Sequence, residues 1–297
     1  FSAEALYAVY TARYQRGLAA IIKGLTIAEA TGIHLLDILF LGKGIYHSLA
    51  TGDLKTAEAF LRKMEVGLEA NSCFVNIYYH HMASLLAMHR ADFPPAIRHA
   101  EISLTLSREA GFPFSVAIHQ YALANILFWA GIPDDLPQRI EEIRAIGVAA
   151  RSSTLELFCA VLEVLWAIGT AQNSGSIEQY LKAVFTLQKK TGFTSILYHG
   201  FKRTDLLCAK ALEAGVDVEF VQELIRCHGL LPERKNACLE NWPWLLKIRT
   251  FGHFEILMDG EPVAFSGKVQ KKPLELLKAL VAFGGENVAE SRLAEAL

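Results

Sequence analysis

The sequence predicts a mainly α-helical chain, an α-solenoid of about five 40-residue helix-turn-helix repeats followed by a small α+β segment. Three observations predict it. Turn signals at Thr31-Gly32, Ser72, Gly111, Ser152 and Gly192 recur at steps of 40, 39, 41 and 40 residues. A second series, at Gly52, Asp92, Gly131, Asn173–Gly175 and Gly215, falls about 20 residues after each member of the first. Two interleaved series with one shared period describe a helix, a tight turn, a second helix, and the same again. Beyond Trp244 the apolar period changes from 3.6 to 2, which marks strands.

The elements follow in order. Residues 2–30 carry Leu6, Tyr10, Tyr14, Leu18, Ile21, Ile22 and Leu25 at spacings near three and four. A weak break near Ala12-Arg13, 40 residues before Gly52, makes this stretch the remains of a sixth hairpin. The first helices of the five full hairpins are expected at about 33–50, 73–90, 112–130, 153–171 and 193–213. Their second helices are expected at about 54–70, 94–110, 135–150, 176–190 and 217–228. Asp53 and Ser176 are N-cap candidates, and Pro94, Pro95 and Pro137 fall where a first turn tolerates a missing N–H. Gly32, Gly111 and Gly192 suit the left-handed position that ends a helix.

Aligning the hairpins by their turns gives two mainly apolar columns, Asp37/Ile77/Val116/Leu157/Leu197 and Ile38/Tyr78/Ala117/Phe158/Tyr198, with Asp37 the exception. A different face collects Tyr79, His80, His119, Gln120, Asn125, Glu163, His199 and Arg203. First helices of a solenoid usually line its concave surface, so these eight are the candidate groove for a peptide, a partner helix or a small effector. The same residues also fit an ordinary partly solvated face. A metal reading is disfavoured, because adjacent His80 and His81 point about 100° apart on a helix and no HxxxH or HExxH occurs.

Composition narrows the function classes. With 297 residues and 52% hydrophobic content, the chain has ample material for a core. A formal net charge of -2 argues against a nucleic-acid-coating protein and leaves room for a local basic patch. Cys73, Cys159, Cys208, Cys227 and Cys238 form no CxxC, as expected of reduced structural thiols in a cytoplasmic protein. The mean hydropathy of +0.26 reflects helices covered on several sides, because the apolar windows 112–132 and 155–171 carry polar or charged residues that a spanning helix avoids. No membrane association, cofactor or metal is expected. The chain opens on Phe1 inside a helical pattern, which suggests a piece of something longer.

Residues 229–246 break the helical pattern with two prolines and polar residues, and read as a linker in which Trp242 and Trp244 are docked. From Lys247 to Leu257 alternation marks a strand, Asp259-Gly260 a hairpin turn and Glu261–Phe265 its return. Residues 270–283 form an amphipathic helix ended by Gly284-Gly285, and Asn287 to Leu297 begins another.

This run, Ile-Arg-Thr-Phe-Gly-His-Phe-Glu-Ile with Asp-Gly, then 266–280 and Gly-Gly-Glu-Asn-Val, closely resembles the start of a winged-helix DNA-binding domain. The type is that of OmpR/PhoB response regulators and SARP activators, and the resemblance covers 247–297. The 40-residue repeats in 1–228 resemble the superhelical region of MalT-like bacterial transcriptional activators, often grouped with tetratricopeptide repeats. The resemblance implies a large regulator with an ATPase or sensor part, a helical-repeat part that receives a signal or partner, and a winged helix on the promoter. The chain departs from that plan in having no GxxxxGK[ST] and in stopping before the recognition helix and wing. By the same resemblance Lys268, Lys271, Lys272 and Arg292 would reach DNA phosphates, contacts that position without specifying sequence. From Lys247 onward 7 basic residues balance 7 acidic ones, so a solvated face serves equally well as an account of these four. A remnant of 51 residues falls below the roughly 60 at which isolated domains become marginal, so Trp242, Trp244 and the first strand are expected to pack on the last repeat.

Two functions compete. One is the signal-receiving, protein-interaction region of a cytoplasmic transcriptional regulator that binds DNA in its full-length form. The other is a repeat scaffold that binds proteins and not DNA. An enzyme is not expected, since no paired carboxylates, Ser/His/Asp set or phosphate loop stands out.

Overall fold

The computed structural model describes residues 1–297 other than 67, 69–71, 172, 196–203, 233–238, 259, 264–270 and 286, together with the backbone but not the side chains of Ser174 and Lys271. It is mainly helical. Its contacts divide it into two units, Phe1–Trp242 and Pro243–Leu297. The divide falls inside the stretch read as a linker.

The first unit is a run of helical hairpins. They are α1 (Ser2–Tyr10) with α2 (Tyr14–Thr31), α3 (Asp37–Ala50) with α4 (Leu54–Val66), α5 (Cys73–His89) with α6 (Phe93–Glu109), α7 (Pro113–Trp129) with α8 (Leu136–Ala150), α9 (Ser153–Gly169) with α10 (Ser174–Thr191), and α11 (Thr204–Glu213) with α12 (Val218–His228). The break at Ala12-Arg13 is present, so α1 and α2 make the additional hairpin in front of the five. Within the fifth, 196–203 lie outside the described residues, as do Leu197 and Tyr198 of the two apolar columns and Asn71 beside the Ser72 turn.

Each helix packs on the next in sequence, and first helices also meet one another through α1–α3, α3–α5, α5–α7 and α7–α9. This stacking places the first helices inside and the second helices outside. Burial agrees: Phe40 to Leu49 is buried without interruption, as is His119 to Leu127. The outer helices bury one stripe each, Ala57/Phe60/Met64 on α4 and Leu136/Ile140/Ile143/Gly147 on α8, the spacing of an amphipathic helix.

Inner helices approach closely where glycine allows it. A side-chain carbon added at Gly42 of α3 would overlap the Tyr78 ring of α5. Turns are uniform too. Each first-to-second-helix turn has a residue at positive φ, namely Ala12, Gly52, Ala91, Gly131, Ala171 and Gly215, and the last of these turns adds Asp217. Gly32 and Gly192 end α2 and α10 in the left-handed conformation. Asp53 accepts the Thr56 amide at 3.0 Å and caps α4. At α10 the cap is Asn173 rather than Ser176, whose own amide donates to Asn173 Oδ1 at 2.9 Å, because the helix starts two residues earlier than its sequence pattern indicates.

The array also meets itself. The amides of Thr194 and Ser195, just beyond α10, donate to the Tyr10 carbonyl at 3.1 and 3.2 Å. Phe193 stacks on Tyr10 with ring centroids 4.2 Å apart. His228 at the end of α12 donates from Nε2 to the Thr194 carbonyl at 2.7 Å and accepts the Tyr14 hydroxyl at Nδ1 at 3.1 Å. The first hairpin is thereby joined to the last two. Beyond α12, Gln222 donates to the Asn241 carbonyl at 2.8 Å and Trp242 is 1% exposed, so this tryptophan completes the first unit's core. Trp244 is half-buried.

The second unit opens with β1 (Leu246–Arg249), β2 (Glu255–Met258) and β3 (Glu261–Pro262), an antiparallel sheet in that order. The single strand expected over Lys247–Leu257 is in fact two. Arg249 pairs with Glu255, and the chain turns between them with Gly252 at φ 83°. Alternation continues on both sides of that turn, which is why periodicity alone joined them. Then come α13 (Lys271–Ala282) and α14 (Glu290–Ala296), separated by Gly284 and Gly285, both at positive φ. The Lys278 ammonium lies 5.0 Å from the Phe254 ring centre and holds α13 to the sheet.

Candidate functional site

The inner helices carry polar side chains to an unusual depth. Tyr46 of α3 bonds His81 Nε2 of α5 at 2.7 Å, and the His81 ring meets the His119 ring of α7 edge-on at 4.7 Å. His119 Nδ1 donates to the Ser115 carbonyl at 2.6 Å, with Ser107 Oγ at 3.0 Å. Burial pushes His119 down to about 4, opposed only by that carbonyl, and likewise lowers His47 and His228. A buried cation without a countercharge is costly, so these imidazoles are neutral at pH 7. They act as shape-filling hydrogen-bond donors and acceptors between helices.

Of the eight residues expected to share a concave groove, the six that the structure describes do not line a common one. His119, Gln120 and Asn125 are 4%, 3% and 1% exposed, because α7 is covered on all sides by its neighbours. Gln120 bonds Glu142 and accepts Arg139 Nη1 of α8 at 2.6 Å, and Asn125 donates to the Tyr121 carbonyl in its own helix at 2.8 Å. Glu163 of α9 is ion-paired to Arg144 of α8 at 2.6 Å. Tyr79 and His80 turn towards α6, where His80 Nδ1 lies 2.8 Å from His99 Nδ1 and the Tyr79 ring stands edge-on to both imidazoles. His199 and Arg203 lie outside the described residues. His80, His119, Gln120 and Glu163 thus join neighbouring helices instead of facing a shared ligand space. Among the described residues no group of three or more His, Cys, Asp or Glu is placed to hold a metal ion.

In the second unit, Lys272 of α13 and Arg292 of α14 are exposed, the Arg292 guanidinium lying 4.6 Å from the Phe283 ring centre. Lys268 and the Lys271 side chain lie outside the described residues.

A roomy cavity lies elsewhere, where α2, α3, α4 and α5 meet. It holds about 630 Å³, within the roughly 300–1,000 Å³ usual for ligand sites. Leu25, Ile38, Leu41, Met64 and Val75 supply apolar wall, and Glu29, His34, Asp37 and Lys63 supply charge. A second cavity of about 350 Å³ adjoins it and is lined by Ile27, Ile33, Leu36 and Phe40 among others. Leu35 and Asp37 line both. His34 Nδ1 lies 2.8 Å from Asp37 Oδ2, while Asp37 Oδ1 is buried and has no hydrogen-bond partner. The alignment of repeats missed this site because its walls come from four helices in three hairpins. Its one visible trace was Asp37, the charged residue in an apolar column.

No family model, curated protein or solved structure matches the chain. No described helix is long and apolar enough to cross a membrane.

Proposed function

We propose that the chain is the signal-receiving and protein-interaction region of a bacterial transcriptional regulator, whose second unit contributes to a winged-helix DNA-binding domain in the full-length protein. The order of elements carries this reading: an array of helical hairpins, then a three-stranded antiparallel sheet, then two helices separated by Gly284-Gly285. An array built only to bind proteins would end in a helix with a polar outer face, the usual way such stacks are closed to solvent. Exposed Lys272 and Arg292 suit phosphate contacts, which orient a protein on DNA, while sequence choice requires a helix against base edges.

The test uses the full-length protein and DNA from its own promoter region. Binding is expected to weaken steeply with salt, in proportion to the phosphates contacted. Deleting residues 243 onward should abolish it and leave the hairpin array folded. Absence of binding at low salt would replace this reading with the scaffold.

A further inference from the structure

We propose that the paired cavities at the junction of α2, α3, α4 and α5 bind a small cationic amphiphile, its ammonium on Asp37 and its hydrocarbon or aromatic body in the apolar chamber beneath Leu35.

Three observations converge. The first is charge. Glu29 and Lys63 are exposed at the mouth with opposite signs and offset each other, and Asp37, whose one oxygen is bonded to His34, is the carboxylate that borders the apolar chamber. The second is an unmet bond. One Asp37 oxygen is engaged by His34, whereas the other is buried and takes no hydrogen bond, which is costly for a carboxylate. The last torsion of an aspartate is soft, so a small turn presents that oxygen to an ammonium in the cavity. The third is apolar surface without cover. In the turn between α2 and α3, Ile33, Leu35 and Leu36 are 62%, 86% and 46% exposed, and all three line the smaller cavity. Contiguous exposed apolar side chains of this kind mark binding surfaces.

Size and polarity fit together. The larger chamber has charged groups and an apolar floor, and the smaller one is lined almost wholly by apolar side chains, with Asp37 and Leu35 standing between them. A ligand with one cationic end and one apolar end satisfies both. A carboxylate would face Asp37 across the same gap and be repelled. This inference does not depend on the DNA-binding reading, since every residue in it belongs to the first unit.

Titration calorimetry on the chain with hexylammonium, hexanol and hexanoate tests it. Hexylammonium should bind, hexanol more weakly and hexanoate not at all. Asp37→Asn should weaken hexylammonium about 10- to 100-fold, the weight of a hydrogen bond to a charged group, and bring it level with hexanol. Leu35→Ser changes a side chain in solvent, so the fold is retained, and should weaken both compounds together. Glu29→Gln at the mouth should leave affinity within about threefold, as for a screened surface charge. No binding of hexylammonium, equal binding of hexanoate, or an unchanged affinity in Asp37→Asn with Leu35→Ser would overturn the proposal.

Discussion

At the scale of single residues, the inner helices owe their depth to side chains that tolerate no change in size or charge. Gly42 faces the Tyr78 ring, which an added methyl would have to displace. Gly42→Ala is therefore expected to cost about 1–3 kcal/mol by overpacking, measured as a lower denaturant midpoint at unchanged slope. His119 sets a pH dependence whose sign is fixed by its surroundings. Its folded pKa of about 4 lies below the unfolded value near 6.5, so between those pH values the unfolded chain binds more protons. Stability must fall as pH drops through that window, by about 3 kcal/mol at pH 4 from this group alone. His119→Asn should flatten the profile over the same range in urea titrations at stepped pH, at the cost of some stability at neutral pH. A profile unchanged by the substitution would mean that His119 titrates in the fold as it does in the unfolded chain.

At the scale of elements, side-chain caps fix the starts of α4, α9 and α10. Asp53 bonds both the amide and the hydroxyl of Thr56, at 3.0 and 2.6 Å. Asp53→Ala should cost about 1 kcal/mol, and Asn173→Ala a similar amount, each read as a shift in unfolding midpoint. Most of this level was legible in the sequence. Helix spacing, the proline first turns and the Asp53 cap follow from local rules, and the structure has them where those rules put them. The failures are local as well. Ala91 and Ala171 take the positive φ that glycine takes at Gly52 and Gly131, and an alanine gives no sign of it. The hairpin through Thr250–Phe254 was hidden because the same alternation runs on both sides of Gly252. The described members of the candidate groove are apart for a different reason. A polar residue on an inner helix has the sequence pattern of a solvated face, but Gln120, His119 and Glu163 are matched by Arg139, Ser107 and Arg144 on second helices. Such pairing is tertiary and leaves no trace in spacing.

At the scale of the whole molecule, the contacts that matter most join residues far apart in the chain. Tyr10 meets Phe193, Thr194 and Ser195, and Tyr14 meets His228. No period relates these positions, so the junction was invisible beforehand. Phe193→Ala should speed amide exchange in Tyr10 to Leu18 as well as in Thr194 and Ser195, detected by hydrogen-exchange mass spectrometry. Exchange confined to one side would show that the two ends do not support each other. His228→Ala should act in the same direction, because it leaves the Thr194 carbonyl without its imidazole donor. Trp242, buried at the edge of the first unit, ties the chain leaving the last hairpin to the same core. Stacked repeats ordinarily melt like a zipper, from whichever end is loose, with stretches of intermediate length populated on the way. A necklace fastened at the clasp between Tyr10 and Thr194 has no such starting point, so heating should take residues 1–242 apart in one sharp step, and unfastening it with Phe193→Ala should broaden that step into several.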